Sequence, residues 1–384
     1  MGQKILYNRW MNVTPFSKES LEQWRQDMNI DVVREREELG RDDYRYRKII
    51  GFKNYDTDIY AHDVKGIQGI TNIVPEFSLL ANYYSDILHR HFQYRYFGTV
   101  CEHLLKEGYM PRKNLFGLPY DPRCILEPNY LDNYFKTIQE TIEESVLNSH
   151  SNGLKKPLII THSLGGVLFK WFLSSFVSED WIHKYIGRIM VVNAPFGGTT
   201  MALRVIISGE YYVPMFHQEF KASLQRMAGI LMCLPNEYAY DRNEPLVKLD
   251  SPERILRIQD FMNTNHTGSD LDSIQVAFDI WRDMYLPHLE KIMSPIKLGS
   301  IPCDIIMGTQ QMTVKKIKIK REGELPYYTK FEMGDGQVPL RSLQLATKLF
   351  IGSHVKTTDI LESNHIDILS NESFIQHVNH AIRS

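Results

Sequence analysis

Cysteine is scarce: the 384-residue chain has four, at Cys101, Cys124, Cys233 and Cys303. No two form a C-x-x-C pair, which argues against a zinc ribbon or a disulfide framework and for separate buried thiols. No apolar run approaches the ~18 residues of a membrane-spanning helix. An excess of one charge is also missing. Lys and Arg number 44 against 46 Asp and Glu, a formal net charge of -2. No global field draws the chain towards nucleic acid, so no nucleic-acid partner is expected. The N-terminal residues contain no apolar stretch followed by a small-residue cleavage site, so no secretory signal is read there and the compartment is left open. Internal repeats and low-complexity tracts are absent. The pairs His89/His91 and His377/His380 have no third ligand nearby, and neither a metal nor a cofactor is expected.

What is present is an ordinary globular composition, 43% hydrophobic and 23% charged, enough for a sizeable core. Residues 1–66 are polar and irregular. They carry a predicted helix over 17–27, flanked by Trp10 and Trp24, and a charged run, REREELGRDDYRYRK, that reads as a solvated face. From Ile67 the pattern becomes α/β. IQGITNIVP reads as a strand, SLLANYYSDILHRHF and RYFGTVCEHLLKEGY as helices, and NLFGLPYDPR as a strand with its exit loop. In NYLDNYFKTIQETIEESVLNSH, Leu131, Phe135, Ile138, Ile142 and Val146 fall on one helical face, with Pro128 at the start. A strand over 158–161, a helix over 164–177 and a strand over 188–193 follow. Strands alternating with helices predict a parallel sheet covered on both faces. Residues 199–300 break this rhythm with helical patches rich in Met and Tyr, and are read as an inserted cap. The core then resumes over 301–384, where TVKKIKIK alternates apolar residues and lysines as a half-exposed edge strand would.

The stretch PLIITHSLGGVLFKWFL (157–173) concentrates the chemistry. Ser163 has two readings, a nucleophile on a strained strand-to-helix turn or an ordinary helix N-cap. A nucleophile elbow needs small residues around the serine because two backbones come close. Gly165 supplies one and Gly166 extends it, while Thr161 stands where glycine is usual. The upstream strand and the glycine pair favour the elbow. Further on, EMGDGQVPLRSL sets Asp335 between glycines and ESNHIDIL sets His365 before the last helix. Taken singly, GDG is a common turn and a histidine is usually structural. The order Ser163, Asp335, His365 is nevertheless that of α/β-hydrolase triads. In that reading His365 takes and returns the Ser163 proton, and Asp335 orients the imidazole. The Leu164 amide, at a helix N-terminus, faces the oxyanion.

These motifs resemble those of the lecithin:cholesterol acyltransferase-like lipases. LPYDPR is similar to the family's PYDWR, THSLGG to its GHSMGG, VNAPFGGT to LGAPWGGS and MCLPNEYAY to the LLPN segment. GDGQVPLRSL and NHIDIL resemble its acid and histidine motifs. The resemblance implies an α/β-hydrolase fold with an inserted, mostly helical cap and a lid. Residues 1–66 would then be a lid and membrane-contact region, 67–198 and 301–384 the two parts of the core, and 199–300 the cap. It implies cleavage of a glycerophospholipid acyl ester at a membrane or lipid-particle surface, through an acyl-enzyme on Ser163. The acyl group passes to water, a sterol or another lipid alcohol. The chain also departs from the family elsewhere. Phe196 replaces a tryptophan, IVPEF has Glu76 where the family has glycine, and no PG-x-x-G loop supplies a second oxyanion donor. The chain is therefore expected to begin after the first core strand. The alternative expectation is a catalytically impaired lipid-binding protein, or a truncated product, on the same fold.

Overall fold

A computed structural model describes residues 31–34, 49–53, 65–67, 70, 96–149, 155–210, 217–262 and 272–383. The helix expected over 17–27, the charged run, the IQGITNIVP strand and the SLLANYYSDILHRHF helix fall wholly or largely outside these residues. So does the question of a first core strand. Near the start, β1 (Asp31–Arg34) and β2 (Ile49–Lys53) form an antiparallel pair. Then come α1 (Gly98–Lys106), α2 (Pro128–Asn148), β3 (Leu158–His162), α3 (Leu164–Ser175), α4 (Glu179–Tyr185) and β4 (Arg188–Val192). The next segment holds α5 (Thr200–Ser208), α6 (His217–Leu224), α7 (Ala228–Leu231), β5 (Val247–Asp250), β6 (Glu253–Leu256), α8 (Ile258–Met262) and α9 (Asp272–Ile280). A π-helical turn (Trp281–Tyr285), α10 (Leu286–Met293) and β7 (Ile296–Gly299) complete it. The C-terminal part contains β8 (Cys303–Thr309), β9 (Gln311–Ile319), β10 (Tyr328–Gly334), α11 (Leu340–Leu343), α12 (Ala346–Leu349), β11 (Phe350–Gly352), β12 (Val355–Leu361) and α13 (Glu372–Arg383).

The core sheet runs β12-β8-β4-β3, parallel throughout. Apolar runs such as RIMVV and CDIIMGT form its centre because both of their faces are covered. The period of two is visible in β4. Ile189 and Val191 join the larger core, while Met190 and Val192 pack with Val100 and Leu104 of α1 and with Phe374 and Val378 of α13. Helix α2 buries the face predicted for it and is capped by Glu127, whose carboxylate accepts the Tyr130 N–H at 2.7 Å. Helix α3 is apolar nearly all round, as a fully buried helix must be. Its one ammonium, Lys170, is spent on Ser174 Oγ and the carbonyls of Ile292 and Ser294 at 2.6–2.8 Å, tying α3 to the C-terminal end of α10. Burial and the nearby Lys291 pull the Lys170 pKa down to about 7.

Two expectations are corrected. NLFGLPYDPR is not a strand. Its two prolines cannot donate to a ladder, and Asp121 instead closes on Arg123, accepting its backbone N–H at 2.9 Å and its guanidinium at 2.6–3.0 Å. The carbonyls of Pro122 and Arg123 then seat α7 by accepting the N–H groups of Gly229 and Ala228. The lysine-rich strand β9 is not at an edge. It lies inside a second sheet ordered β10-β9-β5-β6, antiparallel to β10 and parallel to β5. Its lysines are half-exposed on one face while Ile317 and Ile319 are buried on the other. Strands from 247–256 and from 311–334 thus share one sheet. No described helix is long and apolar enough to cross a membrane.

Candidate active site

Ser163 sits between β3 and α3, at the C-terminal end of the parallel sheet. Its backbone is at φ 54°, ψ -134°, a conformation that non-glycine residues avoid and that costs about 1–3 kcal/mol. The turn is held by the Ser163 N–H on the Val192 carbonyl and the Gly166 N–H on the Ser163 carbonyl, both at 2.9 Å. Ser163 occupies the N-cap position of α3, yet its side chain makes no capping hydrogen bond. The hydroxyl is instead 2.8 Å from His365 Nε2. The side chain is therefore not spent on capping α3.

The glycine requirement falls on a different residue from the one the motif suggests. A Cβ on Gly165 would meet nothing within 4 Å. One on Gly166 would lie 2.6 Å from the Ala194 Cβ and 3.4 Å from Thr161 Oγ1. The room that Thr161 takes on the strand side is therefore left free by Gly166 on the helix side. Gly166→Ala is expected to lose about 1–3 kcal/mol by overpacking. Gly165→Ala is expected to be neutral or to gain up to about 1 kcal/mol from helix propensity. Urea unfolding of the two variants compares them directly.

Asp335 follows β10 in a tight turn whose next residue, Gly336, has φ +93°. Its side chain is fully buried. Oδ1 accepts the backbone N–H groups of Gln337 at 2.9 Å and Val338 at 2.7 Å, and Oδ2 lies 2.7 Å from His365 Nδ1. His365 stands in the loop after β12, where Asn364 Oδ1 accepts the N–H groups of Ile366 and Asp367 at 3.0 and 2.8 Å. The three residues singled out in the sequence are thus brought into one hydrogen-bonded line. Leu164 opens α3, so its N–H is among the first-turn donors that have no partner within the helix.

Three neighbours were not picked out from the sequence. His162 Nε2 is 2.6 Å from the His365 carbonyl, and its Nδ1 is 2.7 Å from the Tyr96 hydroxyl. Asn193, at φ 48°, donates from Nδ2 to the same carbonyl at 3.2 Å and accepts the Gly308 N–H at 2.7 Å. The available signal was the histidine directly before Ser163; its partners are remote in sequence. Burial, and then the His365 charge, hold the His162 pKa well below its ordinary 6.5. The unfolded chain therefore takes up this proton first as pH falls. The contribution to stability is full above about pH 6.5 and is lost on acidification below it. His162→Gln is expected to flatten the fall of stability between about pH 6.5 and 5, measured by urea unfolding at stepped pH.

A cleft of about 1570 Å³ opens on Ser163 and His365 and continues along the β3 edge as far as Lys156 and Arg188. Its wall includes Leu118, Pro195, Met201, Val205, Met227 and Ile230, an apolar surface suited to hydrocarbon. Among the described residues no group of three or more His, Cys, Asp or Glu side chains is placed to hold a metal.

A parallel sheet that presents a strained serine on the turn into its first following helix puts the protein among the α/β hydrolases. More particularly, the chain belongs to the lecithin:cholesterol acyltransferase family, whose model, described as "Lecithin:cholesterol acyltransferase", matches residues 77–279, just over half of the chain. The matched stretch contains Ser163 and Asn193 and ends before Asp335 and His365. Among curated relatives, "Lecithin-cholesterol acyltransferase-like 1" of Arabidopsis thaliana is 26% identical over 84% of this chain and 73% of its own length. "Lysosomal phospholipase A and acyltransferase" of Canis lupus familiaris is 27% identical over 74% of this chain and 66% of its own. Among solved structures, the Tle4–Tli4 complex overlaps 65% of this chain and 65% of its own at 14% identity, with a TM-score of 0.44.

Proposed function

We propose that the protein cleaves an acyl ester of a glycerophospholipid and passes the acyl group to water, a sterol or another lipid alcohol at a lipid surface. The observation that carries this reading is the line from Ser163 Oγ through His365 to Asp335, at 2.8 and 2.7 Å, opening into an apolar cleft. The names of the relatives, an acyltransferase-like protein and a phospholipase A and acyltransferase, support the substrate class.

Ser163 Oγ attacks the ester carbonyl while its proton passes to His365 Nε2. The Leu164 N–H donates to the resulting oxyanion. Asp335 keeps the proton of His365 on Nδ1 and stabilises the imidazolium that forms. Collapse expels the glycerol oxygen of the lysophospholipid, which takes the proton from Nε2 and leaves an acyl ester on Ser163. The acceptor then loses its O–H proton to Nε2 and attacks that ester. The proton returns to Oγ, and either a fatty acid or a new lipid ester departs. Hydrolysis and transfer differ only in which acceptor reaches the acyl-enzyme.

The test uses the full chain with phosphatidylcholine vesicles and a fluorophosphonate probe. Release of lysophospholipid, together with a probe adduct on the peptide carrying Ser163, is the expected result. A chain that binds vesicles but neither reacts with the probe nor turns over ester overturns the proposal and leaves a lipid-binding protein on the same fold.

A further inference from the structure

The mechanism above does not use His162, although this buried imidazole lies against the base, its ring centroid 4.9 Å from that of His365. Its hydrogen bonds fix its state. A carbonyl only accepts, so the bond from His162 Nε2 to the His365 carbonyl requires the proton on Nε2. Nδ1 then carries a lone pair, and the Tyr96 hydroxyl donates to it at 2.7 Å. Tyr96 comes just before α1, His162 ends β3, and His365 belongs to a loop outside regular structure. His162 and His365 are 203 positions apart in the chain, yet their contact is direct.

We propose that His162, oriented by Tyr96, is a positioning residue that fixes the main chain of the base His365 at a set distance from the nucleophile. The inference rests on the acyl-transfer reading of Ser163, Asp335 and His365. Ser163 is the next residue along the chain from His162, so one short peptide carries both the nucleophile and the clamp on its base. A shift of the His365 loop would change the 2.8 Å separation of Oγ and Nε2 directly. Asn193 Nδ2 reaches the same carbonyl at 3.2 Å from the end of β4. Two neighbouring strand ends therefore converge on one oxygen. A neutral donor suits this place. When His365 becomes an imidazolium during turnover, a second cation at 4.9 Å would oppose it.

The proposal is tested with His162→Leu, His162→Gln and Tyr96→Phe, measured on phosphatidylcholine vesicles. The readouts are kcat, KM, the rate of fluorophosphonate labelling and thermal stability. Leucine removes the donor, and misplacement of the base is expected to lower kcat and the labelling rate about 30- to 100-fold with KM within about twofold. Glutamine retains an N–H at similar reach and is expected to stay within about threefold of wild type. Tyr96→Phe frees the His162 tautomer and is expected to lower kcat about 3- to 10-fold, again without change in KM. Wild-type kcat in the leucine variant, or an equal fall in leucine and glutamine, overturns the proposal. If the leucine variant is not recovered folded, an unchanged kcat in Tyr96→Phe overturns it. An inactive, unlabelled wild type is a different outcome, since it removes the acyl-transfer reading itself.

Discussion

Ser163→Ala is expected to abolish fluorophosphonate labelling and to lower acyl release from phospholipid vesicles by roughly 10⁵- to 10⁶-fold. The size of the effect follows from what the substitution removes. Among the described residues no other hydroxyl is bonded to His365 Nε2, and Oγ, 2.8 Å from it, lines the apolar cleft. Alanine keeps the same strained backbone at φ 54°, held by the unchanged Val192 and Gly166 hydrogen bonds. The side chain makes no cap, so α3 loses none. Unfolding free energy is therefore expected to stay within about 1 kcal/mol of wild type. Residual turnover within tenfold of wild type would show that Ser163 is not the nucleophile.

Asp335→Asn is expected to lower kcat about 10⁴-fold while leaving the fold intact. Oδ1 of Asp335 already accepts two backbone N–H groups, from Gln337 and Val338. An asparagine must therefore point its carbonyl oxygen at that pair, because its amide nitrogen only donates. The nitrogen then faces His365 Nδ1, which has to accept. The proton of His365 moves to Nε2, the atom that should take the Ser163 proton, and the base is in the wrong tautomer. The turn keeps its hydrogen bonds, so the thermal midpoint is expected to change little while turnover and probe labelling collapse together. A variant that retains a tenth or more of wild-type kcat would remove Asp335 from the orienting role.

Local pattern was a good guide wherever the physics was local. The buried face of α2 followed from spacing at Leu131, Phe135, Ile138, Ile142 and Val146, because a helix repeats its own geometry whatever it packs on. The apolar runs of β4 and β8 were legible as strands covered on both sides. Pattern failed where a remote or specific partner decided. TVKKIKIK reads as a strand in isolation, but its interior place depends on β5, where Val247 pairs with Ile317 across a long stretch of chain. LPYDPR has strand-like apolar residues beside it, but the Asp121–Arg123 pair folds the stretch on itself. The glycine that the elbow cannot do without is set by Ala194, a neighbour that no motif names.

Read alone, the sequence established the alternation of strands and helices, the kinds of residue available for acyl chemistry and their order, Ser163, Asp335, His365. These are properties of composition and spacing along one chain. The tertiary structure was needed to bring the Ser163 hydroxyl 2.8 Å from His365 Nε2 rather than onto the helix cap, to place Asp335 and His365 2.7 Å apart across 30 residues, and to set His162 on the His365 carbonyl across 203. A hydrogen bond acts over about 3 Å, and only the packing of the sheet brings such distant residues within that reach.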